Sequence, residues 1–232
     1  MARLRRLVVP GQVHHLVLRG HNAQPVFVDD DDRRLYLAAL QDALRVHAVV
    51  LHAYALLDRQ VQLLLRPPSE PALSRLMQAL GRRYVAVFNR RHRRSGTIWE
   101  GRFRAGVVQE GVPTLHSLLL VDTLASRRGL APSPQASRWS SAPHRLGLCR
   151  DPLVTDPPEF WRLGNTPFER EAAYAALLEQ GLDAAEALRI EHAAASGWAL
   201  GSPQFLADIE QQLGRPVRPR ARGRPPRRSV AG

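Results

Sequence analysis

The chain has 232 residues and one cysteine, is 44% hydrophobic and 23% charged, and carries a formal charge of +12. That length holds one medium domain with an appendage or two small domains, and the single Cys149 excludes an internal disulfide and fits a reducing compartment. No apolar run reaches bilayer length, and the apolar stretch within residues 1–10 is too short for a signal peptide, so a cytoplasmic protein without a membrane partner is expected.

In chain order, residues 12–19 alternate and are rich in Val and Leu, as a strand requires. Four acids, Asp29 to Asp32, open a helix with Leu37, Leu40 and Leu44 at helical spacing. Acids at a helix start favour the dipole and the free N–H groups, a better account than a metal cluster. Residues 49–57 and 60–66 form two strands joined by the turn Asp58-Arg59. In the second strand Gln60 and Gln62 share one face with Val61 opposite. A polar pair in an apolar strand is the layout of a metal-binding His-x-His, but both positions here carry glutamine.

Ser69 caps a helix expected to run to about Arg91, with Leu73, Leu76, Leu80, Tyr84 and Val87 on one face. A Gly/Arg-rich loop, a strand around 103–108 and a helix from about 113 to 127 follow. The order β-α-β-β-α-β, then a helix, predicts an α+β fold: the ferredoxin-like split βαβ with an antiparallel sheet and packed helices. The expected organisation is a core at 1–130, a linker at 131–148, a helical C-terminal region at 149–213 and a disordered arginine-rich tail at 214–232. Helices are expected at 166–180, 183–195 and 202–213, the last opened by Ser202-Pro203.

The charge is not evenly spread. Residues 214–232 hold seven arginines and no acid, and residues 82–104 hold eight arginines against Glu100, so the rest of the chain is near neutral. All 33 basic residues are arginine; coding bias explains that choice but not the clustering. Two basic islands on a neutral body are electrostatic footprints for a polyanion. In the first island Arg82, Arg83, Arg90, Arg91, Arg93, Arg94, Arg102 and Arg104 interleave with Tyr84, Phe88, Trp99 and Phe103. Arginines pair with phosphate and aromatic faces stack on unpaired bases. The plainer alternative is core aromatics under a solvated arginine face, favoured for Tyr84 and Phe88 and left open for Trp99 and Phe103. In the tail, Arg220, Arg222, Arg224, Arg227 and Arg228 surround Arg-Gly-Arg-Pro, which looks like an AT-hook core for the A·T minor groove; nonspecific phosphate binding is the alternative. Cys149 with His144 is weak evidence for a nucleophilic pair. His14 and His15 face opposite ways on a strand, and His15 reads as a satisfied sheet histidine.

Pro10-Gly11, His15, Arg19-Gly20-x-Asn22-x-Gln24-Pro25-Val26-Phe27 and Leu51-His52-Ala53-Tyr54 occur in that order. They are followed by Phe88-Asn89-Arg90-Arg91-His92, Trp99-Glu100-Gly101-Arg102-Phe103, Arg127-x-Gly129-Leu130, Trp139-Ser140-Ser141 and Gly197-Trp198-Ala199-Leu200-Gly201. On these motifs nearly the whole chain resembles the single-tyrosine HUH transposases, in their REP-associated tyrosine transposase branch. The resemblance implies a divalent metal, Mg²⁺ or Mn²⁺, held by a His-hydrophobe-His pair, and a tyrosine that attacks a DNA phosphate. It places the histidines on Gln60 and Gln62, the tyrosine on Leu120 and a further ligand on Leu124. The expectation is a DNA-binding protein for single-stranded or hairpin (REP-like) DNA, associated with the nucleoid, a possible homodimer, with no cofactor and no strand cleavage. The alternative is an active nickase or transposase with rearranged ligands, for which Tyr84 is the tyrosine to test.

Overall fold

A computed structural model describes residues 6–219. The core unit runs β1 (Val13–Arg19), α1 (Asp30–His47), β2 (Val50–Leu57), β3 (Gln60–Arg66), α2 (Glu70–Arg91), β4 (Arg104–Val108) and α3 (Val112–Asp122). The four strands form one antiparallel sheet in the order β2-β3-β1-β4, the order of the expected ferredoxin-like, split βαβ arrangement. The turn Asp58-Arg59 closes the β2–β3 hairpin.

Alternation along each strand divides the sheet into two apolar faces. Val61, Leu63 and Leu65 of β3 join Leu40, Leu44, Leu73, Leu76 and Leu80 of α1 and α2 in one cluster. An aromatic knot of Phe27, Tyr36, Tyr84 and Trp99 closes this cluster, with Tyr36 edge-on to Tyr84 at 5.0 Å between ring centroids. Asp29 is the N-cap of α1, accepting the Asp32 N–H at 3.0 Å. At α2 the cap position is Ser69, but its side chain makes no capping bond; Pro71 in the first turn removes a donor that would otherwise need one.

The opposite face, with Ala53, Ala55, Leu57 and Leu64, is covered by α3 and by α8 (Ala184–Ser196), whose Ala187, Ile190 and Ala193 share a core with Leu118, Leu120, Val121 and Leu124. The helix expected at 113–127 is divided at Thr123 into α3 and the short α4 (Leu124–Arg127). The Thr123 hydroxyl donates to the Leu119 carbonyl at 2.7 Å, the back-bonding that bends a helix.

Both sheet edges are covered, which removes unpaired strand surface. Along β2, Leu56 N–H donates to Trp139 O and Ser141 N–H to Tyr54 O, so the segment read as a linker at 131–148 forms a strap that includes α5 (Ala142–Arg145). Along β4, Leu200 N–H donates to Val107 O and Gln109 N–H to Leu200 O. The remaining helices are α6 (Pro158–Trp161), α7 (Pro167–Gln180) and α9 (Pro203–Leu213). The first residues of the expected disordered tail are also packed: Val217 is fully buried and accepts the Ala199 N–H. The arginines at 220, 222, 224, 227 and 228 lie outside the described residues. No helix among the described residues is long and apolar enough to cross a membrane.

At Gly106 of β4 the last turn of α8 and the residues after it press on the sheet. A Cβ there would lie 2.3 Å from the Trp198 carbonyl oxygen and 3.1 Å from that of Ala193, both backbone. Gly106→Ala is expected to destabilise by about 1–3 kcal/mol in denaturant unfolding, because the 193–198 turn must move. An unchanged midpoint would contradict this packing of α8 on the sheet.

Candidate nucleic-acid interface

Register places the two glutamines in rows across the sheet. Gln60 lies opposite Arg19 of β1, and Gln62 lies between Ala55 of β2 and Val17 of β1, with Arg104 of β4 on the far side of Val17. Residues directly opposite on antiparallel strands share a face, so this row belongs to the α3/α8 side. Gln62 is buried and Gln60 half-buried. Leu120 and Leu124 are fully buried in the same apolar cluster as Leu57 and Leu64.

The residues at the resemblance's metal positions do not fit a divalent ion. The Gln62 Oε1 accepts from His15 Nε2 at 2.7 Å, so the amide oxygen is already engaged. Leu124 supplies only hydrocarbon. Burial holds the His15 imidazole at a pKa of about 4, opposed in part by the Gln62 bond, which fixes a neutral ring with the proton on Nε2. Its Nδ1 has no hydrogen-bond partner among the described residues. His14 points elsewhere, donating from Nδ1 to Gln12 O at 2.9 Å and accepting the Val9 N–H at Nε2. No group of three or more His, Cys, Asp or Glu among the described residues is placed to hold a metal.

The four tyrosines are poorly placed as nucleophiles. Tyr84 is 1% exposed and its hydroxyl donates to Val26 O at 2.5 Å. Burial raises the phenol pKa of Tyr36, Tyr54, Tyr84 and Tyr174. His144 is occupied at both nitrogens: Nδ1 accepts the Asp151 N–H and Nε2 faces Asp156 at 3.3 Å, which leaves no free imidazole to activate the exposed Cys149.

The arginine island divides into two groups. Arg91 is committed internally: it bonds Asp29 at 2.6 Å and 2.9 Å, Asp32 at 2.6 Å and Asp31 at 3.1 Å. Hydrogen bonding to Arg91 holds the Asp29 carboxyl down at about 2. Arg91 therefore locks the end of α2 to the start of α1 and is withdrawn from the expected DNA contacts. Arg83 pairs with Asp42, and Arg94 lies half-buried over the Phe88 ring at 5.6 Å. By contrast Arg82, Arg90, Arg93, Arg102 and Arg104 are exposed and have no acidic partner among the described residues. Trp99, expected among the DNA-binding residues with the choice between base stacking and core left open, is 8% exposed and its ring packs against Tyr36 and Tyr84. It and Phe103, which lies beneath the Arg6 guanidinium at 3.9 Å, line a groove of about 490 Å³. Leu18 and Tyr36 also line this groove, as do Arg75 and Arg102.

Sequence reasoning missed Arg19. It stands at the end of β1, exposed, opposite Gln60. Pairing the strands would have exposed it, because their register brings it to the glutamines.

The fold is shared with a solved transposase structure. A structure of a REP-associated tyrosine transposase bound to a REP hairpin superposes with a TM-score of 0.55 at 11% identity, over 68% of this chain and 93% of that one. A candidate transposase from Deinococcus radiodurans overlaps 47% of this chain and 88% of its own at 22% identity, with a TM-score of 0.36, below the level that defines a common fold. No protein-family model matches the chain, and no curated protein matches it.

Proposed function

We propose that the protein binds hairpin or single-stranded DNA on a transposase-type scaffold and does not cut it. The observation that carries this reading is a separation of two features. Arg82, Arg90, Arg93, Arg102 and Arg104 are exposed without acidic partners among the described residues, and Arg102 lines an aromatic-walled groove, while the positions that would need a metal and a nucleophile hold an engaged amide and buried leucines. The scaffold with the same fold was captured on a REP hairpin, which supports a DNA hairpin as the ligand class here. The tail arginines would add affinity by entering an A·T minor groove or by contacting phosphates. The nucleoid is the setting this reading implies. Homodimerisation would pair two such surfaces on a palindromic repeat.

Gel shift against hairpin DNA across a salt series is expected to show binding whose logarithm falls linearly with log salt concentration, because phosphate contacts release counterions. Incubation with the same DNA and Mn²⁺ is expected to leave no covalent protein–DNA adduct. Salt-insensitive or undetectable binding would overturn DNA recognition, and an adduct would overturn the loss of cleavage.

A further inference from the structure

The end of the sheet beside Gln60 holds a small cavity of a different character from the aromatic groove. It measures about 130 Å³ and is lined by Val17, Arg19, Glu100, Arg102, Arg104 and Ala195. We propose that Arg19, Arg102 and Arg104 form a metal-independent site for a single phosphate group. This proposal rests on the DNA-binding reading for the source of that phosphate, but not for the site itself.

The sheet brings the three guanidinium groups together. Arg19 closes β1 opposite Gln60, and Arg104 opens β4 opposite Val17, two residues back along β1. Such diagonal neighbours on adjacent strands lie about 7–8 Å apart at the backbone, within reach of one another for long side chains. Arg102 follows on the loop before β4, and Ala195 near the end of α8 forms the opposite lip. Three arginines and one glutamate leave a local charge of +2. All three arginines are exposed, and none has an ion pair or a side-chain hydrogen bond among the described residues. Their mutual repulsion is therefore relieved only in part, by Glu100, and an entering anion would relieve the rest.

Size and chemistry select the ligand. Drug-sized and nucleotide ligands occupy pockets of roughly 300–1,000 Å³, so this cavity has room for a tetrahedral oxyanion and not for a base with its sugar. Planar guanidinium forks match phosphate oxygens in pairs. Elsewhere this face of the sheet is filled by Leu57, Leu64, Leu120 and Leu124. This polar opening lies at the Arg19 end of β1, and Arg19 is the strand partner of Gln60, where the resemblance would put a metal-bound phosphate. Arginine would supply the positive charge that the glutamines cannot recruit through an ion.

The test compares wild type with the Arg19→Gln, Arg104→Gln double variant. Thermal unfolding is followed in inorganic phosphate and in chloride at matched ionic strength. Phosphate is expected to raise the wild-type midpoint with saturation, and the variant is expected to lose most of that rise. In chloride the variant's midpoint should equal or slightly exceed that of wild type, since neither side chain has a partner to lose and their mutual repulsion is relieved. Arg102→Gln, on the loop, supplies the same readout if the double variant is unstable. An equal response of wild type and variants to phosphate overturns the site, whatever DNA does. Hairpin DNA then identifies the source. If the phosphate belongs to the DNA backbone, affinity should fall about tenfold in the variant, as loss of charge-assisted hydrogen bonds predicts, and the salt slope should become shallower by about one. Loss of the phosphate response with hairpin affinity unchanged keeps the site and assigns it to free phosphate. No hairpin binding by either protein, with the phosphate response intact in wild type, removes the DNA reading and leaves the phosphate site standing.

Discussion

Asp122→Ala is expected to destabilise the protein by about 3–5 kcal/mol, the range for removing one partner of a buried ion pair. Asp122 is fully buried at the last turn of α3. Its Oδ2 accepts from Arg145 Nη1 at 2.6 Å and from the Tyr174 hydroxyl at 2.7 Å, and its Oδ1 accepts from Ser141 Oγ at 2.5 Å. Arg145 is fully buried too, and donates from Nη2 to the His52 carbonyl of β2. Burial pushes the Arg145 pKa down, but the carboxylates of Asp122 and Asp156 outweigh it and keep the guanidinium charged. Removing Asp122 leaves that charge with Asp156, 3.5 Å from Nε, as its one remaining acidic neighbour. A chain of this size loses about 2–4 °C of midpoint per kcal/mol, so a fall of roughly 10 °C is expected. The double variant Asp122→Leu, Arg145→Met should recover much of that loss, because an apolar pair of similar volume carries no unpaired charge. A loss below about 1 kcal/mol in the single variant would show that water reaches Arg145.

The same network explains why Leu120 is immobile. Asp122 ties the end of α3 to the strap through Ser141 and Arg145, and to α7 through Tyr174. Leu120 lies two residues before this anchor and Leu124 two residues after it, both inside the apolar core. Any substitution at 120 that introduced a hydroxyl would have to fit a packed interior, where added volume strains the neighbours.

The sheet was legible because its signals are local: the period of two in β1 to β3, the Asp58-Arg59 turn and the four acids before α1 each lie within a short window. The α1/α2 core followed from helical spacing. What escaped depends on contacts distant in sequence. Arg91 looked like one cation among eight, yet Asp29, Asp31 and Asp32, about sixty residues earlier, neutralise it. Trp99 could be read as a stacking side chain or as core, and the aromatic knot places it inside. The strap at 139–145 looked like a linker because the buried ends of Ser141 and Arg145 carry polar atoms, and a sequence offers no sign that Asp122 will meet them. Gln62 was correctly placed on a shared face with Gln60, but its bond to His15 needed the diagonal across β1 and β3.

Acid should begin to unfold the protein at a pH above the range where most carboxylates titrate. His14, His15 and His52 each have a pKa lowered to about 4, with burial the dominant cause. Weaker opposing contributions come from bonds to Gln12, Gln62 and Thr155. In the unfolded chain each imidazole titrates at the ordinary 6.5. Above that value both states are neutral and these histidines add no pH dependence. As the pH falls from 6.5 towards 4, the unfolded state takes protons that the folded state refuses, so stability falls with falling pH. Each histidine contributes about 1.4 kcal/mol per pH unit across this window, so the three together contribute about 4 kcal/mol per pH unit and about 10 kcal/mol over the whole of it. Against a typical total of about 5–15 kcal/mol, an unfolding midpoint between pH 6 and pH 4 is expected by circular dichroism at 25 °C. Asp29, held at about 2 by Arg91, adds its own loss only at lower pH, as its carboxyl titrates below the ordinary 3.8. Calorimetry in buffers of different ionisation heat should count close to three protons taken up on unfolding near pH 5. His52→Gln should remove one of them, since an amide can still accept from Arg66 and donate to Thr155 O as the imidazole does. Uptake of fewer than one proton would mean that these imidazoles are already charged in the folded protein, which the His15–Gln62 bond and the buried sheet around it do not allow.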